Sequence, residues 1–404
     1  MGQVVTSRRS LDSRRKIQWL FSLCVALWMI ASACWADENV LQKVRAPINL
    51  AKLKELARRI EPDLQGQAAR TKQYIEFFRQ QLANDTRLFA FQVRAKADSG
   101  NRVQLDGYVE FPETRDALFA YLKILSIPVD ASSIRTLPSA SLGDQRYGFL
   151  KVPHRFSTSE PGRGETVTEC LYAEPVYLLD EIDSHFLVHS QDGYLGFLPS
   201  ADIQRVTASE FEEYLSGPRA NVQSDCKTES GLSLQAGAQL KWMDETDQTV
   251  VVALLDGSKL SLPKSRCQKE VDRSATIEQV LRNALALKGT RYKWGGKTSD
   301  GIDCSGLVQT AFQSAGVFLP RDSNQQFLMG RLTATRWHTA GLRRGDTMYF
   351  VGAHGRIRHT AIYLGNDQYL EAVSPVAKIT SLNPTDTNYD ARRHASFVFA
   401  KRLF

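Results

Sequence analysis

The chain has 404 residues, of which 43% are hydrophobic and 24% are charged, values that exclude a mainly disordered or fibrous protein. A chain of this length is too long to fold around one hydrophobic core, so two to four domains are expected. The formal charge of +7 includes five basic residues and one acid in residues 1–36, so the remainder carries only +3. Since no basic cluster interleaved with aromatic residues follows residue 36, we expect no nucleic-acid partner.

The first 36 residues have the organisation of a secretory leader. Basic residues between Arg8 and Lys16 precede an apolar run over 17–33, and small residues follow. Cleavage after Ala33 or Ala36 fits this pattern, whereas lipidation at Cys34 or retention of the apolar run as an anchor are the alternatives. We therefore expect an exported protein of the periplasm, the cell envelope or the extracellular space. It would meet a membrane only through an uncleaved or lipidated leader.

Residues 37–140 are predicted to form an N-terminal helical and then α+β domain. Apolar spacings of three and four predict helices between Val40 and Leu82. Alternating apolar residues then predict strands near Phe89–Val93 and Val103–Tyr108, followed by a helix near Glu113–Leu125. This order faintly resembles the BON-type domains of envelope proteins, and no chemistry is assigned to it.

Residues 141–208 and 209–272 are predicted to form two small β-barrels. Short strand-like runs separated by turn residues occur at Val176–Leu179, Phe186–His189 and Gly193–Leu198. The first segment resembles the bacterial Src-homology-3-like barrels found beside wall-cutting enzymes, and the second reads as a more diverged copy. The alternative for both is a simple spacer.

The six cysteines show no metal-ligand spacing, so no metal site is predicted. In an oxidising compartment Cys226 and Cys267, which bracket the second predicted barrel, are the candidate disulfide. Cys304 is expected to stay free because its surroundings suit a nucleophile.

Residues 273–404 contain the candidate nucleophile, Cys304, at the predicted start of a helix. Backbone N–H groups at a helix N-terminus favour the reactive thiolate and can hold an oxyanion. The alternative is an inert buried cysteine. Polar Asp303 and Ser305 on either side make an apolar core an unsuitable place for it.

His359 is the candidate base and Glu371 its candidate orienting residue. They lie on two predicted strands joined by a turn at 365–367. A two-residue turn would put them on opposite faces, whereas an odd-numbered loop or a bulge would put both on one face. Only the second arrangement lets the carboxylate orient the imidazole toward the nucleophile. Otherwise both are ordinary strand residues.

Five spaced motifs make residues 275–404 resemble the NlpC-type cysteine peptidases, which are related to papain: YKWGG, GIDCSGLVQTAF, LPRDSNQQF, LRRGDTMYFV and HTAIYLGNDQYLEA. The resemblance implies a papain-like α+β domain in which a helix bearing Cys304 packs on an antiparallel sheet bearing His359. It also implies that the Tyr292 hydroxyl helps to hold the oxyanion. The third family position is most often His, whereas this chain has Glu371.

Two small barrels before such a domain resemble the γ-D-glutamyl-L-diamino-acid endopeptidases, which act on wall-derived peptides with a free N-terminal L-Ala. The resemblance implies a subsite for L-Ala and D-Glu lined by Asp303, Ser305, Arg321, Asp322 and Ser323, with Glu165 and Tyr194 closing its amine end. Carboxylates suit the ammonium, and hydroxyl or cationic groups suit the α-carboxylate of D-Glu. Ser323 and Gln326 also match a capping box, a structural role that can coexist with binding.

The predicted function is hydrolysis of the γ-D-glutamyl-L-diamino acid bond in peptidoglycan-derived peptides (muropeptides), with no metal or organic cofactor. One alternative keeps the fold and changes the reaction to that of an amidase or acyltransferase. Another is a non-catalytic wall-binding protein in which the barrels provide adhesion.

Overall fold

The computed structural model describes residues 68–82, 87–96, 102–228, 231–269, 277–352 and 355–403. The predicted leader and the helices predicted before residue 68 lie outside these ranges. Within them the chain is a mixed α+β protein with seven α-helices and 25 strands. No helix in the described ranges is both long and apolar enough to cross a membrane.

The N-terminal part, residues 68–136, packs two helices against a three-stranded sheet. Its elements are α1 (Ala68–Leu82), β1 (Phe91–Lys96), β2 (Val103–Val109), α2 (Pro112–Ile124) and β3 (Val129–Thr136). The central β2 pairs antiparallel with β1 and parallel with β3. Pro112 suits the start of α2, where the missing N–H would have no helical partner. The predicted order of two strands and a helix is present, whereas β3 has no counterpart among the predicted elements.

The first sheet has seven strands: β4 (Tyr147–Leu150), β5 (His154–Glu160), β6 (Arg163–Leu171), β7 (Pro175–Ile182), β8 (His185–His189), β9 (Leu195–Pro199) and β10 (Ile203–Val206). Short 3-10 helices flank it at Ala140–Leu142 and Ser200–Asp202. The three predicted strand segments correspond to β7, β8 and β9. The strand order is β10-β4-β7-β8-β9-β5-β6, and the described edge strands do not pair with each other. The predicted closure into a barrel is therefore not confirmed.

A helix, α3 (Ala208–Leu215), leads into the second sheet. Its strands are β11 (Arg219–Val222), β14 (Gln239–Glu245), β15 (Thr249–Ala253), β16 (Lys259–Pro263) and β17 (Cys267–Lys269), with a separate ribbon of β12 (Cys226–Lys227) and β13 (Ser233–Leu234). The five-stranded order, β16-β15-β14-β11-β17, is again open in the described residues.

The predicted disulfide between Cys226 and Cys267 is wrong for this structure, in which both thiols are free. Cys267 lies on β17 opposite Val222 of β11, and Cys226 lies on the β12–β13 ribbon. Both pack with one core cluster, and burial together with the nearby Cys226 raises the pKa of the Cys267 thiol to about 12.

The C-terminal part, residues 277–403, places helices against a six-stranded antiparallel sheet. Its helices are α4 (Ile277–Ala286), α5 (Cys304–Gln313), α6 (Ser323–Gln326) and α7 (Ala391–Ser396). Its strands are β18 (Lys297–Thr298), β19 (Gly301–Ile302), β20 (Arg331–Thr335), β21 (Thr347–Val351), β22 (Ile357–Gly365), β23 (Gln368–Ala372), β24 (Ala377–Ser381) and β25 (Phe397–Arg402). The sheet order is β20-β25-β21-β22-β23-β24. The small β18–β19 ribbon precedes α5.

The helix α5 is buried along its whole length and packs on the centre of this sheet. Leu307, Val308 and Ala311 of α5 share one core cluster with Ile362 of β22 and Leu370 of β23. The helix on an antiparallel sheet expected from the motifs is therefore present. Its first residue, Cys304, faces the part of the sheet that carries His359 in β22.

Buried polar contacts join the C-terminal part to the two preceding sheets. The Lys297 ammonium lies 3.0 Å from the Glu174 carboxylate and 3.5 Å from that of Asp192. The Gln313 amide donates a hydrogen bond of 2.9 Å to the Gly237 carbonyl. Since a buried charge is costly unless it is paired, these contacts fix the sheets against α5.

Candidate active site

Cys304 is the first residue of α5, and its position is set by Asp303 at the N-cap. The Asp303 backbone is extended, and its Oδ1 accepts a hydrogen bond of 2.7 Å from the Gly306 N–H. The Asp303 Oδ2 accepts another of 2.8 Å from the Gly295 N–H in the YKWGG turn. A cap of this kind satisfies helix donors that otherwise lack partners. It also holds the thiol at a defined point, where Cys304 is 8% exposed.

Arg321 completes this support. Its guanidinium donates to both Asp303 oxygens at 2.7 and 3.0 Å and to the Ser305 hydroxyl at 3.0 Å. Burial works against the charge, but Asp303 outweighs it and raises the pKa of Arg321. The resemblance places Asp303, Ser305 and Arg321 on the subsite wall. In the structure their polar groups are buried and bonded to one another beside Cys304.

A bulge brings His359 and Glu371 onto one face of the sheet. Tyr363 pairs with Tyr369, but Gly365 pairs with Gln368, so β22 has one extra residue. Without this extra residue a two-residue turn would put His359 and Glu371 on opposite faces of the sheet, whereas with it both lie on the same face. As a result His359 Nε2 lies 2.6 Å from Glu371 Oε2.

Glu371 is 1% exposed and is held by two further groups. The Thr380 hydroxyl donates to its Oε1 at 2.7 Å, and the Arg393 guanidinium lies 3.0 Å from its Oε2. Burial alone would raise the pKa of Glu371, but the hydrogen bond and charge of His359, with Arg393 and Thr380, lower it. Thr380 and Arg393 were absent from the predicted site because no motif marks them.

The surroundings of the His359 imidazole favour its neutral form. Burial lowers its pKa, against the opposing effect of the Glu371 hydrogen bond, and Arg393 adds to the lowering. Because a carboxylate only accepts hydrogen bonds, the proton of the neutral ring lies on Nε2. Nδ1 is then left as an acceptor.

The thiol of Cys304 lies against the strand that carries His359. The backbone N–H of Thr360, the residue after His359, hydrogen-bonds the thiol and lowers its pKa, as do Arg321 and the Ser305 N–H. Burial and the Asp303 charge outweigh these effects and raise the pKa of Cys304 to about 12. The backbone N–H at the start of α5 therefore lowers the pKa of the thiol, as expected, but burial raises it by more. At neutral pH the sulfur is therefore a thiol, and it lies against the strand that carries His359.

Tyr292 supplies a hydroxyl close to the nucleophile. Its backbone N–H donates to the Pro375 carbonyl at 2.8 Å, which fixes the YKWGG turn to the end of β23. Burial, with the charges of Cys304 and Asp303, raises the pKa of Tyr292 to about 12. The hydroxyl therefore stays protonated and able to donate a hydrogen bond.

Asp322 and Tyr194 form a second group of polar side chains, at α6. Asp322 is the N-cap of α6, and its backbone N–H donates to Gln325 Oε1 at 3.4 Å. The Tyr194 hydroxyl donates to the same Gln325 oxygen at 3.4 Å. The predicted capping box is therefore displaced by one residue: Ser323 is a buried residue of the first turn, and the Gln326 amide donates at 3.0 Å to the Ser305 carbonyl.

Arg87 of the N-terminal part also reaches this group, a contact that no motif predicts. Its Nη1 lies 2.6 Å from Asp322 Oδ2, and its guanidinium lies 5.1 Å from the centre of the Tyr194 ring. By contrast Glu165 is exposed on β6, where its backbone N–H donates to the Ser159 hydroxyl. The structure thus brings Tyr194 and Arg87 to α6, where Asp322 lies.

Among the described residues, no group of three or more His, Cys, Asp or Glu side chains is arranged to hold a metal ion. The site offers a thiol at the start of α5 and, on the sheet against which α5 packs, an imidazole bonded to a carboxylate. These are the residue types that a nucleophile, a base and an orienting group require.

Comparison with known proteins gives one family. Residues 289–397 match the model of the NlpC/P60 family. Dipeptidyl-peptidase 6 of Lysinibacillus sphaericus is 30% identical over 229 residues, which cover 52% of this chain and 80% of that protein. The γ-D-glutamyl-L-lysine dipeptidyl-peptidase of Bacillus cereus is 25% identical over 228 residues, 51% of this chain and 66% of that protein.

A solved structure of an NlpC/P60 family protein from Bacillus cereus superposes with a TM-score of 0.53 at 19% identity. The match covers 64% of this chain and 99% of that one. At this identity the superposition concerns the fold alone. It shows that the fold shared with that protein extends well beyond residues 289–397.

Proposed function

The chain belongs to the NlpC/P60 family and is a cysteine peptidase, and on this basis we propose that it hydrolyses the γ-D-glutamyl-L-diamino acid bond of cell-wall peptides. The observation that carries the proposal is the 2.6 Å contact between His359 and Glu371 on the strands beside the Cys304 helix. The relative from Bacillus cereus, named for action on γ-D-glutamyl-L-lysine, supports the choice of bond.

In the proposed reaction Cys304 Sγ attacks the γ-carbonyl carbon of D-Glu while its proton passes to His359 Nδ1. The negative charge that develops on the carbonyl oxygen is held by the Cys304 backbone N–H and the Tyr292 hydroxyl. Glu371 stabilises the imidazolium that forms, since its carboxylate accepts a hydrogen bond from the Nε2–H.

The carbon–nitrogen bond then breaks, and His359 gives its proton to the departing amine of the diamino acid. The D-Glu γ-carbonyl remains on Cys304 as a thioester. His359 next takes a proton from an attacking water, and collapse of the second tetrahedral intermediate releases the acid and restores the thiol. Proton transfer during attack suits a thiol whose pKa burial raises to about 12.

We propose that the L-Ala residue attached to D-Glu has a free amine and that this amine binds the Asp322 carboxylate. Asp303 and Glu371 are buried and bound to Arg321 and His359 respectively. Asp322, although paired with Arg87, keeps 23% of its side chain exposed, so it can meet a ligand cation. Glu165, which is exposed on β6, is proposed to close the amine end together with Tyr194. Ser305 and Ser323 are proposed to support the same subsite, although both are largely buried.

The proposal extends to the rest of the chain. The two sheets, in domains bounded at 141–208 and 209–272, are proposed to be Src-homology-3-like domains, and residues 1–36 an export signal. Support comes from the short, turn-separated strands of both sheets. Action on wall peptides would require export to the envelope, which such a signal provides.

The test is digestion of L-Ala-γ-D-Glu-diaminopimelate and L-Ala-γ-D-Glu-L-Lys peptides, with products identified by mass. We expect release of L-Ala-γ-D-Glu, loss of activity in Cys304→Ala and His359→Ala, and retained activity in Cys226→Ala, which removes a free thiol outside the site. Cleavage at another bond would refute the specificity. An amidase would cut muramyl-linked peptides instead. Full activity in Cys304→Ala would refute the mechanism.

A further inference from the structure

Arg87 extends from the N-terminal part to α6 of the C-terminal part. Its carbonyl accepts a hydrogen bond of 2.6 Å from the Leu195 N–H at the start of β9. Its guanidinium extends over the Tyr194 ring and ends 2.6 Å from Asp322 Oδ2. One side chain therefore joins the N-terminal part, the first sheet and α6.

The Asp322 carboxylate is the point where this contact and the reaction site meet. Asp322 follows Arg321, whose guanidinium bonds to the two residues that flank Cys304. The ion pair with Arg87 shows that a cation fits against Asp322, whose side chain is 23% exposed. A substrate ammonium directed to the same carboxylate competes with this guanidinium, because one cation already neutralises the charge that attracts the other.

We propose that Arg87 is a specificity-determining residue that competes with the substrate's N-terminal ammonium for Asp322. This inference rests on the proposed function, which places a free amine at Asp322. By holding the carboxylate, Arg87 lowers the preference of the chain for free amines over blocked ones. The N-terminal part thus takes part in substrate selection.

The ion pair between Arg87 and Asp322 is weak enough for a ligand cation to displace it. The Arg87 side chain is 38% exposed, and a pair at this exposure changes a binding constant by a factor of about two to five. The cation–π contact with Tyr194 acts in the same direction. Arg87 also lines a cavity of about 220 Å³ between β1, β8 and β9, walled by Phe91, Leu187 and Phe197.

Binding measurements test the competition without turnover. In a Cys304→Ala background, calorimetry with the dipeptide L-Ala-γ-D-Glu is expected to give a Kd about three- to tenfold lower in Arg87→Gln. Arg87→Lys keeps a cation and should restore most of the wild-type Kd. Arg135→Gln is the matched control, since Arg135 also joins the N-terminal part to the first sheet, through Asp180 at 2.5 Å. It should leave Kd unchanged.

With active protein, the ratio of kcat/KM for free and N-acetylated peptides should rise in Arg87→Gln by the same factor. The change should appear in KM, with kcat unaltered. An unchanged or weaker affinity in Arg87→Gln would overturn the inference, as would an equal effect of Arg135→Gln. Failure of the wild type to release L-Ala-γ-D-Glu would instead refute the proposed function, so the two failures are distinguishable.

Discussion

Replacement of Glu371 by Gln tests the orienting residue with the least change of shape. The amide oxygen can still accept a hydrogen bond from the His359 Nε2–H. The negative charge is lost, while the Arg393 guanidinium remains 3.0 Å from the position of Oε2. A hydrogen bond to a charged group contributes about 1.5–3 kcal/mol and a neutral one about 0.5–1.5 kcal/mol. The imidazolium formed during attack therefore loses about 1–2 kcal/mol, and we expect kcat to fall roughly five- to thirtyfold.

The pH dependence of activity in Glu371→Gln distinguishes the loss of the orienting carboxylate from a general loss of protein stability. Burial lowers the pKa of His359 and the Glu371 hydrogen bond raises it, so removing the negative charge lowers it further. The base must be neutral to act, so activity rises with pH through this pKa. The acid limb of kcat/KM should therefore move to lower pH in Glu371→Gln. Glu278→Gln, at an exposed pair with Arg344, is the control. An unmoved acid limb with full kcat would refute the orienting role.

Two further predictions concern the nucleophile and its support. Because burial raises the pKa of Cys304 to about 12, its alkylation by iodoacetamide, followed by mass spectrometry, should keep accelerating between about pH 7 and pH 9. A plateau reached below about pH 6 would indicate a preformed thiolate instead. Lys297→Met leaves the Glu174 and Asp192 carboxylates buried without their cation, so the free energy of unfolding should fall by about 3–5 kcal/mol in denaturant titrations. Lys288→Met, at an exposed lysine, should leave it unchanged.

The sequence predicted the features that depend on local pattern. The start of α5 at Cys304 follows from helical spacing after a polar N-cap, and the strand with His359 follows from a short apolar run. Whether Glu371 lies on the same face of the sheet as His359 could only be stated as two alternatives. One extra residue between Tyr363 and Gly365 puts them on the same face. A bulge depends on pairing across strands and has no local motif.

Contacts between distant segments could not be predicted. Arg321 belongs to a recognisable motif, but its burial against Asp303 depends on how α6 folds back beside α5. Arg87 and Arg393 lie in ordinary charged stretches, and only tertiary packing brings them to Asp322 and Glu371. The effect of burial on the pKa of Cys304 was missed for the same reason, since exposure is a property of the folded chain.

The contacts of the first sheet argue against the spacer alternative. A spacer would meet its neighbour through a small, solvated interface. Here the fully buried Glu169 accepts a hydrogen bond of 2.7 Å from the Lys297 N–H, and Asp192 accepts one of 2.7 Å from Gln309 of α5, the helix that starts at Cys304. Parting these surfaces would leave buried polar groups to be resolvated, so the first sheet and α5 hold one arrangement. Tyr194 lies in the turn before β9 of that sheet and donates a hydrogen bond to Gln325 of α6, which makes the first sheet part of the surroundings of the candidate site rather than a tether for it.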